Sequence, residues 1–201
     1  MKIYAKLFCS LLMLFLLGLA GCASKPAVTD FWIDETLDGR KFERILVIGA
    51  AEKITFRNLF EGELVNQLKS RGIDAVPSYE VLPYNNMLTR EAVLSAVEKY
   101  EIDSVLITSL VERSKKTVFY STNAGGNPYV YYNNIYSSMR SPGNTASYDI
   151  EILFLKTNLY DVQSEKLVWS MTSESEYKYN IKSINSAIEL VINKLQKDSI
   201  I

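Results

Sequence analysis

The residue whose surroundings specify a reaction most narrowly is Cys22. It closes the tetrad Leu19-Ala20-Gly21-Cys22, which ends an uncharged run from Leu7 to Ala20 that itself follows Lys2 and Lys6. A basic start, an apolar stretch and small residues at its end together read as a secretory signal with its cleavage site. The run is shorter than the roughly 20 apolar residues that a transmembrane helix needs. Small side chains let an extended backbone enter a peptidase, and only a thiol can supply the sulfur of a thioether to diacylglycerol. Cleavage before Cys22 and acylation there, with palmitate incorporated, are the expected chemistry. An uncleaved signal anchor with an incidental Cys22 is the alternative, and it too ties the chain to a membrane.

Other residues offer weaker chemistry. Tyr120, Tyr129, Tyr131, Tyr132, Tyr136 and Tyr148 fall close together among Asn, Ser and Gly. A tyrosine pairs a rigid apolar ring with a polar tip and is enriched at recognition surfaces. Tyr129, Tyr131, Tyr132 and Tyr136 are therefore candidate partner-binding residues. A hairpin packing its rings on its own sheet, or a mobile low-complexity loop, stays open as the plainer explanation. Gly49-Ala50-Ala51 follows an apolar strand, where open parallel sheets often bind phosphates. The further glycines of a dinucleotide fingerprint are missing, so a structural turn is expected there. Glu174 and Glu176 share a strand face, with Glu151 on a neighbouring strand. Paired carboxylates do acid–base chemistry only in a pocket that shifts their pKa values, and a solvated outer face is the expectation. No histidine occurs among the 201 residues, so the commonest general base and metal ligand is absent from the sequence. No Gly-x-Ser-x-Gly elbow, Walker loop or calcium loop is present. No enzymatic activity, metal or cofactor is expected.

The elements that must position these residues follow from hydropathy periods. Residues 1–21 are the signal, and residues 22–42 form the lipidated N-terminus and a tether, with Phe31 or Trp32 docking on the domain. Residues 43–201 form one α/β domain with a Tyr-rich insertion at 115–146. Arg44 to Ala50 is a continuous β-branched run, as in a buried strand. Phe56, Leu59, Phe60, Leu64, Val65 and Leu68 mark a helix with Thr55 as its N-cap and Gly72 past its end. Asp74 to Tyr79 is a short strand, near an edge because Pro77 cannot donate to a ladder. A helix from Thr89 buries Ala92, Val93, Ala96, Val97 and Tyr100, and a strand from Ser104 to Val111 follows. This βαβαβ order favours a parallel arrangement. Lys115–Tyr120 and Tyr129–Tyr132 are read as the arms of a long hairpin. Ser147–Val162 and Leu167–Tyr177 form an antiparallel hairpin with Trp169 and Met171 facing the core. Ile184, Ala187, Ile188, Val191, Ile192 and Leu195 mark a C-terminal helix. The expected fold is a mixed sheet covered by helices.

Composition narrows the function. The 22 basic residues lose Lys2 and Lys6 with the signal, leaving 20 against 23 acidic residues, a net charge of −3. That balance speaks against a nucleic-acid footprint. Cys9 leaves with the signal and Cys22 carries lipid, so the mature chain folds without a disulfide even in a compartment that permits one. Its stability must rest on a hydrophobic core.

Leu19-Ala20-Gly21-Cys22 resembles the lipobox of bacterial lipoprotein precursors. From Phe42 onward the chain resembles a family of small bacterial envelope lipoproteins whose domain function is uncharacterised. Arg44-Ile45-Leu46-Val47-Ile48, Phe60-Glu61-Gly62-Glu63-Leu64, Leu68 to Gly72, Ala75 to Tyr79, Asp103 to Ile107, Asn158 to Asp161 and Leu167 to Ser170 carry the likeness. The fold this implies is similar to the N-terminal domain of the Tol-system periplasmic propeller protein and to lipoprotein activators of penicillin-binding proteins, which are docking modules. The expected role is a protein-binding accessory or assembly module of the envelope, with the bilayer and an envelope protein as partners. Binding of peptidoglycan or another glycan, or an unrecognised hydrolase, stays as the alternative. Ala23 rather than Asp after the cysteine resembles the signal for the outer membrane, with the domain facing the periplasm.

Overall fold

The computed structural model describes residues 26–37, 39–51, 53–82, 89–121, 145–177 and 181–201. Six strands form one mixed sheet in the order β1-β6-β5-β4-β2-β3. The βαβαβ half is as expected. Strand β2 (Arg44–Ala50) leads into helix α1 (Ile54–Ser70), then β3 (Asp74–Pro77), a single helical turn at Ser78–Val81, helix α2 (Arg90–Lys99) and β4 (Ser104–Ser121). β2 pairs in parallel with both β3 and β4. The chain thus leaves β2 toward one neighbour and returns past it to the other. Right-handed crossovers put the two helices on opposite faces.

Two buried clusters show this. Leu64, Val65 and Leu68 of α1 pack with Trp169, Met171, Ile188, Val191, Ile192 and Leu195 on one face. Ala96 and Val97 of α2 pack with Leu46, Ile48 and Val105 on the other. Helix α3 (Ile181–Lys197) lies beside α1 on the first face, and its buried residues are those its period marked. Trp169 is fully buried, and its indole N–H donates to Asp198 Oδ2 at 2.8 Å. Gly72 sits at φ +81°, in the left-handed region that ends a helix. Thr89 caps α2, its hydroxyl accepting from the Ala92 amide.

Four expectations need correction. The stretch read as tether contributes strand β1 (Ala27–Ile33), which pairs antiparallel with β6 (Lys166–Glu176), so this part of it belongs to the sheet. Backbone pairing, with Val28 and Ile33 against the core, fixes this strand. Phe31 and Trp32 stay 55% and 46% exposed, although the Lys194 ammonium sits 3.8 Å from the centre of the Phe31 ring. Helix α1 starts one residue before Thr55, its N-cap is Lys53, and no side chain caps it. Leu59 is 41% exposed whereas Glu61 is fully buried, so a carboxylate takes part of the face assigned to hydrophobes. Finally, Lys115–Tyr120 continues β4 and pairs with the start of β5 (Thr145–Asp161), not with Tyr129–Tyr132, which lie outside the described residues. The alternating Ile150, Ile152 and Phe154 of β5 make it the better partner for a strand already committed at Ser104.

Candidate docking site

The carboxyl ends of β2 and β3 are where the chain departs to opposite faces, the usual ligand crevice of an open parallel sheet. Here that crevice is filled from within. Glu61 reaches back from α1, and its Oε1 accepts from the Gly49 amide (2.9 Å) and from Arg57 Nε (2.9 Å). The Ser78 hydroxyl lies 2.6 and 2.7 Å from the two carboxylate oxygens, and Oε2 also accepts from the Tyr79 amide at 3.3 Å. Arg57 Nη2 closes the ring by donating to Ser78 Oγ at 2.6 Å. The backbone amide that a bound phosphate would seek is held by an internal carboxylate. Gly49 is needed for close approach: a Cβ there would lie 3.3 Å from Phe60 Cδ1 and 3.5 Å from Glu61 Cγ. The turn at Gly49-Ala50-Ala51 is structural, as expected. Beside it, burial, with Glu80 and Glu61 nearby, pushes the Tyr79 phenol upward from its ordinary pKa.

A second closed network sits at the opposite end of the sheet. Asp161 accepts from the Gln163 and Ser164 amides and from the Ser164 hydroxyl, and pairs with Arg40 at 3.0 Å. Burial works to raise its pKa, but the Ser164 and Gln163 hydrogen bonds and the Arg40 charge outweigh it and hold the carboxyl below the usual range. A wide groove of about 550 Å³ between β1 and α3 is lined by Val28, Phe31, Lys194 and Asp198. Two of its charged groups satisfy each other, because Lys194 Nζ donates to both Asp198 oxygens at 2.6 and 2.7 Å; Asp30 and Lys197 also line it.

The sheet does not assemble the three glutamates. Glu176 stands opposite Ile152 and Glu174 opposite Phe154, which puts both on the face away from Glu151. Glu151 instead lies 3.9 Å from Arg113, whose guanidinium stacks over the Tyr177 ring. Among the described residues no group of three or more His, Cys, Asp or Glu is placed to hold a metal.

What remains open is the hairpin of β4 and β5. β2 ends at Ala50 opposite Ser109, and β6 ends at Glu176 opposite Ile152. Beyond those rungs, among the described residues, β4 and β5 form ladders only with each other, out to Ser121 and Thr145. We call this two-stranded extension the arm. One of its faces is polar and cross-linked: Thr117 Oγ1 donates to Asp149 Oδ1 at 2.8 Å, and Lys115 stands opposite Glu151. The other carries Ile150, Tyr148 and Val118 with Lys116. Val111 forms a bulge at its base and is 52% exposed, Leu110 is 43% exposed and Tyr148 53%. Among the described residues no further strand pairs with the outer edges of the arm, although the Tyr177 amide donates to the Glu151 carbonyl at 2.7 Å; an edge of this kind is a template for strand addition. Tyr129, Tyr131, Tyr132 and Tyr136 belong to the segment that links the arm strands, and with Cys22 they lie outside the described residues. The sequence reading missed the arm's base and the Glu61 ring. The one available signal for the ring was the i,i+4 spacing of Arg57 and Glu61.

No protein-family profile and no curated protein matches the chain. Among solved structures it is similar to the PelC dodecamer from Paraburkholderia phytofirmans, with 18% identity over 85% of this chain and 97% of that one, at a TM-score of 0.48. It is also similar to lipoprotein GNA1162 from Neisseria meningitidis, with 16% identity over 77% and 99% and a TM-score of 0.39. A minor lipoprotein from Acinetobacter baumannii shares 7% identity over 78% and 94%, with a TM-score of 0.34. These likenesses carry no functional assignment.

Proposed function

We propose that the chain is an exported lipoprotein, acylated at Cys22 and held by that lipid on the periplasmic face of the outer membrane. There it acts as a docking module for a protein component of the envelope, without catalysis of its own. The observation that carries this reading is the contrast between the filled crevice and the open arm. The position where an α/β sheet would take a small ligand is occupied by Glu61, while the arm runs past the ends of β2 and β6, meets no further strand among the described residues, and exposes Tyr148 and Val111. Strand addition supplies affinity through main-chain hydrogen bonds, and pockets for alternate side chains supply selectivity. The four candidate tyrosines sit between the two strands of this arm in sequence, which concentrates recognition chemistry in one hairpin.

Among the described residues no helix is long and apolar enough to cross a membrane. In this reading the anchor is the lipid. Cys22→Ala is expected to abolish palmitate labelling, and labelling that survives the substitution sinks the anchor. Photo-crosslinking from the arm in intact envelopes, read by mass spectrometry, is expected to capture a protein neighbour. Replacing Tyr129, Tyr131 and Tyr132 together with Ser should remove that neighbour; if every neighbour persists, the arm is not the interface. Retention of the acylated chain on purified cell-wall sacculi would point to a glycan in place of a protein.

A further inference from the structure

We propose that β1 is a releasable section of the lipid tether. The strand leaves β6 by local opening while the rest of the domain stays folded, and the free chain that links the lipid to the domain then runs from Cys22 to Arg40 instead of from Cys22 to Ala27. The inference rests on the acylation of Cys22 proposed above. Two observations carry it, the absence of buried side chains in β1 and a separate clamp where the chain enters the core.

Every other strand, and each of the helices α1, α2 and α3, buries at least one side chain. None of the seven residues of β1 is buried, and none in the 3-10 turn at Glu35–Leu37 that follows it. Among the described residues the first buried side chain is that of Phe42. Val28, Ile33 and Leu37 rest half-buried against the core, and the Lys194 ammonium lies over the Phe31 ring. Those contacts and the β6 ladder are what an opening gives up. Segments with few buried apolar contacts open locally at a smaller cost than global unfolding.

The clamp lies beyond this section. Arg40 Nη1 and Nη2 reach the two Asp161 oxygens at 3.1 and 3.0 Å, and the guanidinium lies 5.3 Å from the centre of the Phe42 ring. The Phe42 amide donates to the Ile200 carbonyl at 3.0 Å, and its side chain is fully covered. Asp161 ends β5 and Ile200 follows α3, so the clamp keeps its partners when β1 leaves β6. Gly39, at φ +72°, turns the chain immediately before it. Fully extended, the chain spans about 17 Å from Cys22 to Ala27 and about 60 Å from Cys22 to Arg40. Release therefore extends the reach of the domain without loosening its core. A partner fixed beyond the shorter reach binds the released state alone and draws the equilibrium toward it.

The register supplies a variant. The Asp34 amide donates to the Val168 carbonyl, in line with the rungs Ile33–Trp169 and Trp32–Ser170, so by the alternation of an antiparallel ladder the Trp32 amide also faces β6. Trp32→Pro removes that donor while changing an exposed side chain, and it leaves Trp169 as the sole tryptophan, a reporter of the core. Hydrogen exchange is read on the acylated chain in detergent. The Trp32 and Asp34 amides are expected to exchange about 100-fold or more faster than those of β2, through an opening that leaves the Phe42 amide protected. In Trp32→Pro, Phe42 should stay protected and Trp169 should stay shielded from iodide. In vesicles, energy transfer to acceptor lipids is read from a dye at Asn193→Cys, the one free thiol of the acylated chain. It should be lower in the Trp32→Pro background, because a coil of about 18 residues has an r.m.s. length of about 23 Å against about 12 Å for one of about 5. β1 amides that exchange only together with those of β2 overturn the proposal. So does a Trp32→Pro variant with an exposed Trp169, an unprotected Phe42 or unchanged transfer. Mass spectrometry of Cys22 separates the two failures. An unmodified thiol defeats the anchor reading and the lengthening with it, whereas an acylated one with β1 exchanging as part of the core defeats the release alone.

Discussion

Two places at the same end of the sheet treat their polar backbone in opposite ways. In the crevice between β2 and β3, the Gly49 and Tyr79 amides, Arg57 and Ser78 all converge on one buried carboxylate. On the adjoining strands the β4–β5 arm runs past the ends of β2 and β6, meets no further strand among the described residues, and exposes Val111 and Tyr148. A fold can thus convert its customary ligand crevice into a structural joint and move recognition to an extension of the sheet. The difference lies in where satisfaction comes from. Partners within the chain make rigidity, and their absence invites partners from outside.

The largest expected effect tests the joint. Glu61→Ala strands Arg57, Ser78 and the Gly49 amide without their acceptor, and urea unfolding should show a loss of about 3–5 kcal/mol. A variant within 0.5 kcal/mol of the parent, on the usual scale for surface changes, would falsify the closed ring. Next comes the network at the far end. Asp161→Ala should cost about 1.5–3 kcal/mol, because hydrogen bonds to a charged group are lost from a nearly buried site. Its pH dependence has a definite sign. The folded carboxyl is held below its ordinary value of 3.8, so its contribution is complete above that value and is lost as pH falls through the lower folded pKa. Acid titration of stability should show this loss in the parent, and Asp161→Asn should lack it. Gly49→Ala comes third, at about 1–3 kcal/mol, because the added methyl must displace Phe60 and Glu61 from their packing. Smallest of all is the arm. Tyr148→Ser should change thermal stability by no more than about 0.5 kcal/mol, and yet arm amides should exchange hydrogen far faster than those of β2. Exchange in the arm as slow as in β2 would erase the contrast.

Periodicity made the βαβαβ half legible because each of its elements buries one face, and burial is what period reports. Leu64, Val65, Leu68 and the stripe from Ala187 to Leu195 sit where spacing placed them. Glu61 was hidden because its partners lie in other elements: Gly49 precedes it by twelve residues and Ser78 follows it by seventeen. β1 was read as tether for a related reason. Val28 and Ile33 pack against the core, but the rest of the strand is held by the β6 backbone, and a main-chain ladder leaves little trace in side-chain pattern. Both arm strands were legible as strands, in Lys115–Tyr120 and from Ser147 onward, but their pairing with each other was not, because alternation along a strand does not name its partner. Among candidate site residues, chemistry alone singled out Cys22, and recognition logic alone singled out the tyrosines.

β1 also has a mechanical meaning. Under the proposed acylation of Cys22, a force separating the domain from the membrane would enter through Ala27 and run along the axis of β1. The strand is seven residues long and bonded to β6 through most of its length. Axial tension loads those rungs together, in shear, whereas a pull across the sheet would open them one at a time. Under that proposal the edge strand would act as a clevis pin between lipid and domain. In single-molecule pulling, release from the Cys22 end should therefore need a higher force than release by drawing β1 sideways from Ile33.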